Sequence, residues 1–133
     1  MKLRIKGDSL RLRVSRSEVA TLLAGDCLEE TIHFTPEPVA KLTYALQQEQ
    51  SLSRPTIQYR ENRVAILIPA DQANAWGTTD QVGIAEDINV GNFGSLALLI
   101  EKDFACLDRS DEDNEDTFPN PNAGAATSGG NRP

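Results

Sequence analysis

The chain has 133 residues, 39% of them apolar and 5% aromatic, enough for one domain with a modest aliphatic core. Its 13 basic residues are outnumbered by 20 acidic ones, for a formal charge of −7. That balance excludes a surface coated with basic charge for nucleic acid, though not a local basic patch. No run of about 18 apolar residues occurs, so no spanning helix is expected.

The opening MKLRIKGDSL lacks the apolar segment of a secretory signal, which predicts a cytoplasmic protein. From Leu3 to Val14, apolar and polar residues alternate at period two around Gly7-Asp8, the pattern of two strands joined by a tight bend. SRSEVATLLAG follows as a short helix. Ser15 stands at its cap, Glu18 completes a capping box and Gly25 supplies the stop. CLEETIHF and KLTYALQ read as further strands around the loop TPEPV.

The same signals then recur. TIQYRENRVAILI is a strand pair bending at Glu61-Asn62, and PADQANAW is a helix opened by Pro69. VGIAED and SLALLIEK form a last pair around NVGNFG. Shifted by 54 positions without a gap, Leu3 falls on Ile57, Leu12 on Ile66, Leu22 on Trp76, Leu28 on Val82 and Leu46 on Ile100. The expectation is a β-rich α+β domain over residues 1–103. A duplicated β-β-α-β-β unit (1–50 and 55–103) would form one compact antiparallel barrel or sandwich.

Composition changes near residue 103. Residues 1–102 hold 11 basic and 13 acidic residues, whereas 103–133 hold two and seven. The segment 104–133 therefore reads as a flexible acidic tail rich in Pro, Gly and Asn, largely disordered after about residue 118.

Two resemblances follow from these motifs. Gly7-Asp8-Ser9, the Ile68-Pro69 step and Gly25-Asp26 resemble the bend, the strand-to-helix step and the turn of AbrB/MazE-like swapped-hairpin domains. Val14-Ser15 and Thr79-Asp80 depart from that pattern. The resemblance implies hairpins interleaved between two copies, here within one polypeptide. The whole chain is also similar to a group of small uncharacterised bacterial proteins of unknown function, through KLRIKGDSLRLRVSRSEV, EKDFACLDR and EDTFPNP. That second resemblance implies no activity, but it makes Phe104 to Pro121 part of the design.

Little in the sequence points to catalysis. His33 is the single histidine, and Cys27 and Cys106 are too far apart in sequence for any zinc spacing. Cys106, flanked by Lys102 and Arg109, is the thiol to consider, with His33, for a small metal- or thiol-dependent enzyme. The run DEDNED lacks the central glycine and final glutamate of a calcium loop, and NVGNFG does not open a helix as a phosphate loop does. Glu29-Glu30 and Glu86-Asp87 read as solvated carboxylates. No cofactor is expected.

The N-terminal charges stand out. Lys2, Arg4 and Lys6 line one side of the first strand, with Arg11 and Arg13 on the next. Like charges paired across a hairpin repel, which calls for a counter-charge. It could come from the acidic tail (Asp111, Glu112, Asp113, Glu115 and Asp116), from a partner protein or from phosphate. The reading is a non-catalytic adaptor, monomer or homodimer, that engages another protein through this basic face and the tail. Nucleic acid is the less favoured partner and no membrane is involved. A regulator or antitoxin of the swapped-hairpin type is the alternative.

Overall fold

The computed structural model describes residues 1–104 and 116–119. Two hairpins and a helix occupy the first half: β1 (Lys2–Lys6), β2 (Ser9–Val14), α1 (Arg16–Leu23), β3 (Leu28–His33) and β4 (Lys41–Glu49). The second half runs β5 (Thr56–Arg60), β6 (Arg63–Pro69), α2 (Ala70–Thr78), β7 (Gly83–Asn89) and β8 (Ser95–Lys102), with a 3-10 turn at Gly91–Phe93. Local chemistry accounts for these boundaries. Gly7 at φ 55° makes one two-residue hairpin turn, and Glu61 and Asn62 at 51° and 62° make the other. The Ser15–Glu18 capping box opens α1, and Gly25 at φ 98° follows its end.

The hairpins do not stay with their own half. One four-stranded sheet has the order β1-β2-β8-β7 and the other β3-β4-β6-β5. The central pairs β2–β8 and β4–β6 are parallel, whereas the pairs within each hairpin are antiparallel. This corrects the antiparallel expectation. Each sheet joins hairpins from different halves, so its two middle strands run the same way. The expected barrel does not close either: each sheet keeps two open edges. Ion pairs cross between the sheets near those edges. The Met1 amine meets Glu30 of β3 at 2.9 Å, and Arg54, just before β5, holds Glu86 of β7 through Nε at 2.7 Å.

One core serves both sheets and both helices. Leu12, Val14, Leu22, Leu46, Ile66, Ile68, Trp76 and Ile100 are among its fully buried members. The β1–β2 and β5–β6 registers agree at the 54-residue shift, as Leu3↔Leu12 and Ile57↔Ile66 show. The later hairpins do not. Leu28 pairs with Leu46, but Ile84, not Val82, pairs with Ile100. Ile84 is the buried residue and Val82 is exposed. Ile84 lies two positions further from Trp76 than Leu28 lies from Leu22, the Trp76 indole donates to the Val82 carbonyl at 3.1 Å, and the β7–β8 connection is two residues shorter than β3–β4. The gapless match thus ends at α2 for the position of Leu28. The helices lie close: a Cβ at Gly77 would come within 2.7 Å of Leu23.

Candidate functional site

The outward face of the β1-β2-β8-β7 sheet carries the charges singled out in the sequence. Because Leu10, Leu12 and Val14 point into the core, Arg11 and Arg13 must point out, and Lys2, Arg4 and Lys6 share that side. Register places the outward residues in three rows across the strands. They are Lys6–Ser9–Ala97–Asp87, Arg4–Arg11–Leu99–Ala85 and Lys2–Arg13–Glu101–Gly83. No described helix is interposed: the helices contribute to the core on the opposite side.

The repulsion expected at Lys2↔Arg13 and Arg4↔Arg11 is partly answered from within the domain. Glu101 of β8 lies 2.9 Å from Arg13 Nε and 3.6 Å from Arg11 Nε, and Asp103 accepts from Lys2 Nζ at 3.0 Å. Among the described residues, Arg4 and Lys6 have no ion pair. Five cations therefore meet two carboxylates among the described residues. Lys2, Arg4, Arg11 and Arg13 line a shallow hollow of about 170 Å³. Beside it, sharing Arg11, a hollow of about 390 Å³ runs over Ala97, Leu99 and Ala85 to Asp87. Sequence reasoning missed Glu101, Asp103 and this apolar floor. Nothing local marks them, since β8 reaches β2 from about ninety residues away.

Of the acidic tail, Asp116 lies within the described residues and sits on the same chain, at the start of α1. Its carbonyl accepts from the Arg16 amide at 3.3 Å, and its Oδ1 accepts from the Ser17 amide at 3.1 Å. The Ser17 hydroxyl donates to its Oδ2. With Ser15 Oγ accepting from the Glu18 amide at 3.4 Å, the first amides of the helix all have partners. The hydroxyl bond from Ser17 holds the Asp116 carboxyl below the usual carboxylate range. Phe118 packs edge-on against Phe104 at 6.1 Å, while Lys102 Nζ lies 5.3 Å from its ring centre. Lys102 itself is buried and donates to the Thr79 carbonyl at 2.6 Å. Burial pushes its amine below the usual lysine value, and Asp80 partly offsets this. Asp111, Glu112, Asp113, Glu115 and Cys106 lie outside the described residues.

The N-terminal amine is the other concentrated charge. It contacts Glu18 and Glu30, with the Tyr44 hydroxyl donating to the Met1 carbonyl at 3.4 Å. Burial alone would lower the amine, but hydrogen bonds to the two carboxylates raise it overall. Burial alone would likewise raise Glu18; the bonds it accepts from the amine and the Ser15 amide bring it below its ordinary value.

His33 ends β3 in an exposed position opposite Lys41. Cys27 is a free, exposed thiol with Arg63 Nη2 3.8 Å away. Glu29 pairs with Arg63 at 2.9 Å. Among the described residues no three His, Cys, Asp or Glu side chains gather as a metal set, and no helix is long and apolar enough to cross a membrane.

Residues 1–122 match a family of unknown function, DUF7009, and the chain belongs to that family. No curated protein and no solved structure matches the chain.

Proposed function

We propose that this DUF7009 member is a cytoplasmic, non-catalytic binding module that engages an acidic region of another protein through the outward face of β1 and β2. The observation that carries the reading is the excess of cation on an open sheet face. Arg4 and Lys6 have no ion pair among the described residues; Arg4 lines a hollow with Lys2, Arg11 and Arg13, and Lys6 stands in the next row beside Ser9. Unpaired like charges held in register cost stability, and an anionic partner would remove that cost on binding.

The test compares the wild type with a variant in which Lys2, Arg4, Arg11 and Arg13 are all serine. Each is immobilised in cell lysate and washed with increasing salt. A discrete protein held by the wild type, released by salt and absent from the variant supports the reading. Equal retention by both chains overturns it.

A second reading, a regulator or antitoxin of the swapped-hairpin type, draws support from the exchange of hairpins between halves in the order β1-β2-β8-β7 and β3-β4-β6-β5. It treats the two β-β-α-β-β halves as a duplication. On that reading duplex DNA binds with a steep salt dependence; failure to bind it at low salt removes the DNA part.

A further inference from the structure

Across the strands this face runs from cationic side chains over an apolar middle to a carboxylate. Among the described residues Arg4 and Lys6 on β1 have no ion pair, nor does Asp87 on β7 at the far edge. Between them lie Ser9, Ala97, Leu99 and Ala85, small or aliphatic residues that floor the 390 Å³ hollow. A ligand that was acidic throughout would meet Asp87 unfavourably, and a purely apolar one would leave Arg4 and Lys6 unanswered.

Strand spacing sets the pattern of what fits. With strands about 4.8 Å apart, the β1–β2 boundary is roughly 7 Å from β8 and roughly 12 Å from β7. Alternate residues of an extended chain share a face and stand about 6.7 Å apart. An extended segment crossing the strands would therefore put residue i over the basic hollow, i+2 on Leu99 and i+4 beside Asp87. Resting on the reading above, we infer that this face takes an extended segment of a partner protein with the order acidic–x–aliphatic–x–basic. The acid meets Arg4 and Arg11, the aliphatic side chain covers Leu99 between Ala85 and Ala97, and the basic residue meets Asp87.

The test uses fluorescein-labelled peptides and anisotropy with the full chain. The probe is Glu-Glu-Ser-Leu-Ser-Lys-Lys; the controls replace its leucine by serine or both lysines by glutamate. The leucine probe should bind about tenfold more tightly than its serine control, the gain for covering part of one aliphatic side chain. Leu99→Thr should make those two peptides equal. Ala97→Glu, at an exposed position, should do the same if Leu99→Thr disturbs the strand. Asp87→Ser should erase the preference for lysine over glutamate. If the three peptides bind the wild type alike, and Arg4→Ser with Arg11→Ser weakens all of them, the patterned inference fails while the basic-face reading stands. If no peptide binds, or a 20-base-pair duplex displaces them all, both fail.

Discussion

The two sheets share one topology yet present different outward faces. In the β1-β2-β8-β7 sheet, Lys2, Arg4, Lys6, Arg11 and Arg13 crowd one half of the face. At the matching places on β5 and β6 of the other sheet stand Thr56, Gln58, Arg60, Ala65 and Leu67. There Ala45, Ala65 and Leu67 are buried, and Arg63 is paired with Glu29. The inward positions are alike in kind: Leu12 and Ile66, Val14 and Ile68, Leu46 and Ile100 are all fully buried. Core positions are constrained by packing whichever sheet they serve, whereas outward positions are free to diverge in charge and size. The helices differ in the same way. A capping box and Asp116 open α1, whereas α2 begins after Pro69 with no side-chain cap.

The largest effects belong to what the halves have in common. Trp76→Ala should cost about 3–5 kcal/mol and Leu22→Ala about 2–5, measured by urea unfolding. A loss under about 1 kcal/mol at either position would mean that its helix does not seal the shared core. Next comes the segment after β8, which has no counterpart in the first half. Phe118→Ala should cost about 1–3 kcal/mol through lost contact with Phe104 and the Lys102 stem. An unchanged urea midpoint would detach the segment 116–119 from the fold.

The helix starts should separate more finely. Ser15→Ala should cost about 1 kcal/mol through the lost cap, whereas Pro69→Ala removes no cap and any loss there comes from its buried ring. The Glu18 and Asp116 carboxyls both titrate below their unfolded values. Their stabilisation is therefore complete above the ordinary carboxylate range and is lost as pH falls through the folded values. Unfolding followed from pH 7 to pH 3 should show stability falling below about pH 4.5, with a shallower fall in Glu18→Gln. A variant that tracks the wild type would refute the Glu18 contribution. The smallest expected change is Thr56→Lys with Gln58→Arg, which copies basic charge onto the second sheet. Stability should move by no more than about 0.5 kcal/mol. Peptide binding should not rise, because Leu67 and Ala65 offer no open apolar floor beside the new charges. A gain equal to that of the first sheet would show that charge alone makes the site.

How legible was this in the residues? Both hairpin turns, both helices and the end of α1 could be read, because Gly7, Glu61-Asn62, Ser15–Glu18 and Gly25 act over a few residues. The five cations were legible as a face for the same reason, since period-two alternation needs only the strand itself. The apolar half of the site was not, because Leu99 and Ala85 look like ordinary strand residues until β8 is known to lie beside β2. Nor was the shift at Ile84, which depends on how a tryptophan, rather than a leucine, fits under the next strand.

The amino-acid sequence by itself determined the elements, their order, the family and the core-facing positions other than that of Ile84. These follow from turn chemistry, capping and periodicity, each acting within a few residues. Tertiary structure alone decided that hairpins are exchanged between halves and that the middle strands run parallel. It also decided that Glu101 and Asp103 answer the basic strands and that Asp116 caps the first helix. Each of those contacts joins residues 20 positions apart, as between β4 and β6, or 88 to 101 apart, as for the rest, and no local signal encodes their pairing.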